Sequence, residues 1–235
     1  MTRILAMHQP NWLPWIGYFH KMARSDVFVL LDNVQVPRGR SYASRTRIKT
    51  PNGPRWLTLP LPHRGTRHYR TQPLLEQGHW LDDITGMLYH NYARAPYWDY
   101  AGFSTELEWA ANNCATLAEL NGCLIGWAAE ALNIDAGIML QSELSNRRGL
   151  LKENLPAWLC KQMKCDVYLS GQGARCYNQP HRFRTADVEL RYQRFDCPEY
   201  PQPWGEFVPN LSVVDFIFNC GPEAGAILTG ELENT

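Results

Sequence analysis

Short apolar runs separated by polar turns divide the chain into strand-length and helix-length segments. Ile4-Leu-Ala-Met7 is uninterrupted and predicts a first strand. From Trp15 to Arg24, Ile16, Phe19 and Ala23 recur at helical spacing, so a short amphipathic helix follows. Val27-Phe-Val-Leu-Leu31 is a second continuous run, closed by Asp32 and Asn33, as in a strand covered on both faces. A strand, a helix and a strand packed this tightly predict a right-handed βαβ unit.

The pattern changes from Pro37 to Leu61. Arg45-Thr-Arg-Ile-Lys49 and Trp56-Leu-Thr-Leu59 alternate, and Pro51-Asn-Gly-Pro54 between them signals a turn, which predicts a β-hairpin. His63 to Arg70 reads as an exposed loop. Two helical regions follow, about Glu76 to Ala95 and Thr105 to Asn133. In the second, Leu107, Ala111, Cys114, Leu117, Asn121, Leu124, Ala128 and Leu132 form one stripe, which reads as core.

Strands and helices then alternate again. Ile138 to Gln141 predicts a strand, and Leu150 to Lys164 a helix in which Pro156 marks a kink or a later start. Val167-Tyr-Leu169 and Val188 to Tyr192 predict two more strands. Leu211 to Asn219 predicts a helix capped near Ser212 and ended by Gly221-Pro222. Residues 1–235 thus read as a single α/β domain with a Rossmann-like, mainly parallel sheet and helices on both faces. A basic hairpin is inserted at about 37–70 and a helical segment at about 76–133.

Composition narrows the function classes. With 235 residues and 45% hydrophobic content the chain can bury a real core. Lys+Arg and Asp+Glu are equal at 23 each, which argues against a general nucleic-acid coat. No stretch approaches the roughly 18 consecutive apolar residues needed to cross a bilayer, so no membrane insertion is expected. The start turns polar too soon for a secretory h-region. The 7 cysteines are an odd number with no Cys-x-x-Cys pair. Reduced, mostly buried thiols and a cytoplasmic location follow as expectations.

The candidate chemistry begins at His8-Gln-Pro-Asn-Trp-Leu-Pro-Trp-Ile-Gly-Tyr-Phe-His20. This segment leaves the carboxyl end of the first strand, the edge where open α/β sheets bind ligands. A plain reversal would be built from Gly, Asn, Asp or Ser. Here two Trp, a Tyr and two His are present instead; they form either a site or an aromatic plug over the sheet end. His8 is the candidate for proton transfer, since a free imidazole titrates near neutrality; a structural histidine is the alternative. Asp32, at the end of the second strand, could orient His8, hold Arg38 or cap a turn. Gln9, Asn11, Trp12, Trp15, Tyr18 and His20 are candidate substrate contacts.

Between Asp32 and Glu76 the chain has no acidic residue, yet it carries Arg38, Arg40, Arg45, Arg47, Lys49, Arg55, Arg64, Arg67 and Arg70. Such a segment suits phosphate or carboxylate, and on a hairpin Arg45, Arg47 and Lys49 share one face. The competing account is an edge strand blunted by charge. Ser170-Gly-Gln-Gly-Ala-Arg175 follows a strand, so its glycines could bring backbone N–H groups close to an anion. Its spacing matches neither standard phosphate-loop pattern, and an ordinary tight turn is the alternative. Ser170, Gly171, Gly173, Arg175 and Tyr177 complete the candidate binding set. Histidine and cysteine spacings suggest no metal site, and no Gly-x-Ser-x-Gly elbow is present.

His8 to Lys21, Asp26-Val-Phe-Val-Leu-Leu-Asp-Asn-Val-Gln35 and Arg47-Ile-Lys-Thr-Pro-Asn-Gly53 resemble the opening of WbqC-like proteins. Tyr168 to Tyr177 and Phe207 to Glu223 resemble that family's closing blocks. The likeness covers nearly the whole chain, although Lys commonly stands where this sequence has Arg175. It implies a bacterial cytoplasmic protein tied to O-antigen or other surface-polysaccharide (lipopolysaccharide) gene sets. The implied role is modifying an activated sugar, or transferring an acyl or aminoacyl group to an amino sugar. A looser likeness is to HIGH-motif nucleotidylyltransferases, whose His-x-Gly-His turn corresponds to Trp15-Ile-Gly-Tyr18. Both histidines of that motif are replaced, so topology carries over without the reaction.

The sequence therefore predicts a transferase or ligase acting on a nucleotide-activated sugar or other phosphorylated small molecule. A nucleotide is the one cofactor suggested, and a homo-oligomer is left open. Two rivals remain. One is a non-catalytic nucleic-acid or partner-binding module built on residues 38–70. The other is a structural subunit of a polysaccharide assembly.

Overall fold

Period-two alternation inside the apolar runs lets one short strand feed two cores. The computed structural model describes residues 2–39, 41–62, 67–76, 78–144 and 154–231. The chain passes through β1 (Ile4–His8), α1 (Ile16–Ala23) and β2 (Val27–Leu30), then through β3 (Arg45–Thr50) and β4 (Gly53–Thr58). Helices α2 (Gly78–Tyr92), α3 (Phe103–Asn113) and α4 (Leu117–Ala131) follow. Next come β5 (Gly137–Leu140), α5 (Gln141–Leu144), α6 (Leu155–Gln162), β6 (Val167–Ser170), α7 (Pro180–Thr185) and β7 (Glu189–Tyr192). The last elements are α8 (Val213–Cys220) and α9 (Ala224–Thr229).

Among the described residues the main sheet is parallel, with strand order β5-β2-β1-β6-β7. The chain winds outward from β1 to β2 and β5, then returns to the other side of β1 for β6 and β7. The switch point therefore lies between β1 and β6. Leu5, Val27, Val29 and Tyr168 face one core with Leu155, Leu159 and Phe183 of α6 and α7. Ala6, Phe28, Leu30 and Leu169 face a larger core with residues of α1, α3, α4 and α8. This is the expected α/β architecture, with helices on both faces and a separate antiparallel hairpin of β3 and β4. No helix among the described residues is long and apolar enough to cross a membrane.

Several expectations are corrected. The predicted helix from Thr105 to Asn133 is broken, because Cys114 is extended and Thr116 starts a new helix. Thr116 Oγ1 accepts the Glu119 N–H, while Glu119 Oε2 accepts the Thr116 N–H at 2.9 Å, a reciprocal capping box. The apolar stripe runs across the break, so periodicity alone misses it. Strand β4 begins at Gly53 rather than Trp56, since Gly53 pairs with Thr50 and tolerates φ +86°. Of the two alternatives at Pro156, a kink or a later start, the later start is found, with helix α6 beginning at Leu155 and Pro156 in its first turn. The segment expected as an exposed loop buries Tyr69 completely, and Tyr69 N–H donates to Val34 O at 3.1 Å. Residues 63–66 of that loop lie outside the described residues, as do Arg40 and residues 145–153. Ser212 precedes α8 as expected, but its hydroxyl donates to Leu13 O at 2.9 Å instead of capping the helix.

That bond helps hold the turn after β1. Leu13 has φ +38°, a left-handed conformation that is strained for leucine. Besides Ser212, the turn is tied by Val213 N–H donating to Pro14 O and Trp12 N–H to Tyr42 O. Asn121 of α4, fully buried within the predicted apolar stripe, donates from Nδ2 to Pro10 O at 2.7 Å and Ala43 O at 2.9 Å. Three separate stretches of chain, at 42–43, 121 and 212–213, thus fix the direction in which His8 leaves the sheet.

Candidate functional site

A cavity of about 860 Å³ opens at the switch point. Its walls come from the end of β1 (Met7, His8, Gln9) and from the loop after β6 (Ser170, Gly171, Gly173, Tyr177). Lys21 reaches it from α1. A side chamber of about 240 Å³ lies next to it, lined by Trp15, Gly17 and Tyr18 and again by His8, Lys21, Gly171 and Gly173. A Cβ on Gly17 would run into the Trp15 indole, so the missing side chain lets that ring lie over α1.

His8 is half-buried at the junction of the two chambers. Its Nδ1 lies 3.2 Å from Gln9 O. A carbonyl only accepts, so this contact favours a proton on Nδ1 and leaves the Nε2 lone pair available. Tyr18 packs on the ring at a centroid distance of 4.8 Å, and its hydroxyl also donates to Gln9 O, at 3.3 Å. Burial pushes the imidazole down to about 3, and the Lys21 charge adds to the effect. His8 is therefore neutral across the physiological range, with Nε2 available as a hydrogen-bond acceptor.

The opposite wall is the loop that leaves β6. Ser170 Oγ accepts from Asn178 Nδ2 at 2.9 Å. Gly171 and Gly173 leave open space where a Cβ would stand, so backbone is presented there without side-chain cover. Arg175 does not line either chamber. Its Nε donates to Gln172 Oε1 at 2.7 Å and its guanidinium lies 4.5 Å over the Tyr192 ring, bracing the turn from outside. Tyr177 is largely exposed beside the main chamber.

The structure thus brings His8, Gln9, Trp15, Tyr18, Ser170, Gly171, Gly173 and Tyr177 together. It does not bring the basic hairpin to them. Arg45 lies 3.9 Å over the Trp56 ring, and Arg47 Nη2 donates to Pro209 O at 3.4 Å. Lys49 is 1% exposed, and its ammonium donates to Gln202 Oε1 at 3.1 Å and to the Glu206 carbonyl. The face expected to meet a ligand instead meets the segment before α8. Arg38 is exposed and borders neither chamber. Asn11 and Trp12 are buried, with Trp12 at 0% exposure in the larger core. His20 sits outside both chambers against Phe195, with its Nδ1 3.0 Å from Gln193 Nε2. Asp32 takes the third of its three expected roles, since its Oδ1 accepts the Ser142 N–H at 2.9 Å and holds the first turn of α5.

Lys21 is the site residue that sequence reasoning missed. It lies opposite the apolar stripe Ile16, Phe19 and Ala23, so its helix position reads as solvent-exposed. The available signal was that Lys21 shares a stripe with Gly17 and Tyr18, at helical spacings of four and three.

Comparison with known proteins identifies the chain's family. The model of the WbqC-like protein family matches residues 9–227. The uncharacterized protein Rv1507c of Mycobacterium tuberculosis is 30% identical over 227 residues, covering 94% of this chain and 95% of that protein. With the match running from the turn after β1 into the final helix, the chain belongs to the WbqC-like protein family.

Proposed function

We propose that the protein is an enzyme that transfers a group, acyl or aminoacyl, on a phosphorylated or nucleotide-activated amino sugar during surface-polysaccharide assembly. The observation that carries this reading is a neutral imidazole, His8, facing a cavity of about 860 Å³ at the sheet's switch point. That volume falls within the range of small-molecule sites, roughly 300–1,000 Å³. The sugar amine or hydroxyl would attack the carbonyl of an activated acyl donor and expel the donor's leaving group, with His8 Nε2, a weak base, accepting the nucleophile's proton once bond formation has made it acidic. Trp15, Tyr18 and Tyr177 would flank the sugar or base, while the Gly171 to Gly173 backbone would lie against the activated end. The family's association with O-antigen genes, which its name suggests, points to the same substrate class. The rival based on the basic segment loses support because Lys49 is buried and Arg47 is engaged by the chain itself.

Isothermal titration with a panel of nucleotide sugars at low salt tests the proposal. Micromolar binding of at least one sugar nucleotide is the expected result, and no binding across the panel would refute it. The glycine loop offers a sharper check. Gly171 has φ −72° and neither Gly171 nor Gly173 has a heavy atom near its Cβ position. Gly171→Ala and Gly173→Ala should therefore leave stability unchanged or raise it by about 0.4–1 kcal/mol. Affinity for the bound sugar nucleotide should nevertheless fall by about tenfold, near 1.4 kcal/mol. Unchanged affinity in both variants would place the ligand away from this wall.

A further inference from the structure

Among the described residues two lysines are buried, and they are treated in opposite ways. Lys49, 1% exposed, gives its ammonium three oxygen acceptors, on Gln202, Gly205 and Glu206. The buried carboxylate of Asp215 is close enough to feel its charge. Lys21, 3% exposed, donates to a single acceptor, Met7 O, at 3.0 Å. An ammonium carries three donors, and lysine is almost never buried without a partner for its charge. No carboxylate among the described residues forms an ion pair with Lys21, and its nearest aromatic support is the Phe28 ring at 5.6 Å. Burying a lone cation this way is unfavourable, and an apolar residue of similar volume would avoid the cost.

What sets Lys21 apart is where it points. It borders both the main cavity and the side chamber, as His8 does. We infer that Lys21 is the oxyanion receptor of this site, taking a phosphoryl or carboxylate oxygen of the substrate beside His8. The inference rests on the proposed reading that this cavity holds the substrate. It replaces the arginine hairpin, which is turned elsewhere, as the source of positive charge. Lysine suits the task as a compact point charge with rotatable donors. Burial pushes its amine down to about 7, as expected of a cation with no acidic side chain around it.

The test is calorimetric titration of the full chain with inorganic pyrophosphate and, separately, acetate, using the parent protein, Lys21→Met and Lys21→Gln. The expected result is binding of at least one of the two anions to the parent, weakened 30-fold or more in both variants. The melting temperature should be unchanged or raised, because the variants remove an unpaired buried charge. Loss with pyrophosphate identifies a phosphoryl group as the preferred partner, and loss with acetate alone identifies a carboxylate. Either result supports the inference. Three results would overturn it: no binding of either anion to the parent, affinities within threefold in the variants, or variants that fail to fold. The two readings separate in one further titration with UDP-N-acetylglucosamine. If pyrophosphate binds through Lys21 while no sugar nucleotide binds, the receptor stands and the sugar reading falls. If the sugar nucleotide binds the parent and Lys21→Met equally, the reverse holds.

Discussion

Replacing Asp215 by Ala should destabilise the protein by about 3–5 kcal/mol, a typical cost of removing one partner from a buried charged network. Asp215 is fully buried in α8 and accepts from Tyr92 Oη at 2.6 Å, Tyr200 Oη at 2.7 Å and Gln202 Nε2 at 3.2 Å. Tyr92 in turn accepts the Lys49 backbone N–H at 2.8 Å. One carboxylate thus organises α2, β3, α8 and the segment before α8. Without it, two buried hydroxyls lose their acceptor and the Lys49 ammonium loses its nearby charge. For a chain of this size each kcal/mol moves the melting temperature by about 2–4 °C, so a drop of about 6–20 °C is expected by calorimetry. Asp215→Asn should also be destabilising, because an amide NH₂ would face a hydroxyl that needs an acceptor. Hydrogen exchange at the β3 amides should accelerate in both variants. A stability change below about 1 kcal/mol in Asp215→Ala would mean that the hairpin is held by packing alone.

His8→Gln should lower the turnover of the proposed transfer by about 100-fold or more while the protein stays folded. Glutamine can keep a donor near Gln9 O, but it offers no nitrogen lone pair for proton transfer. The same variant reports on how dry the site is. The native imidazole is held near 3, below its ordinary value of 6.5. Between those values the unfolded chain binds a proton that the folded chain refuses, so stability falls as pH drops from about 6.5 towards 3. Glutamine does not titrate. The variant should therefore lose less stability over that window, which chemical denaturation at pH 7, 5 and 4 would measure. Full activity with a lowered melting temperature would identify His8 as a packing residue.

Much of the fold was legible because its signals are local. Ile4 to Met7, Val27 to Leu31 and Val167 to Leu169 are apolar on both sides of the chain, and a strand with that composition must be covered on both faces. The Pro-Asn-Gly turn marked the hairpin, and Pro156 marked the start of α6. The break between α3 and α4 was also written locally, in Thr116 and Glu119, but the continuous stripe from Leu107 to Leu132 concealed it. The placement of His8 at a sheet edge followed from β1 ending where the polar turn begins.

The fate of the charges was another matter. Arg45, Arg47 and Lys49 alternate on one face, and that much follows from strand geometry. Whether the face meets a ligand or the protein itself depends on residues about 153 to 162 positions away, at Gln202, Glu206 and Pro209. Asp215 likewise reads as one acid in an apolar helix until Tyr92 and Tyr200 reach it. Lys21 shows the converse case, a polar helix position turned inward because β1 ends above it. Periodicity and turn chemistry act between neighbours, so the order of residues sets the elements and the edge where chemistry can occur. Burial and pairing of charge arise only when distant segments meet, so tertiary packing chose which cations serve the site and which hold the fold.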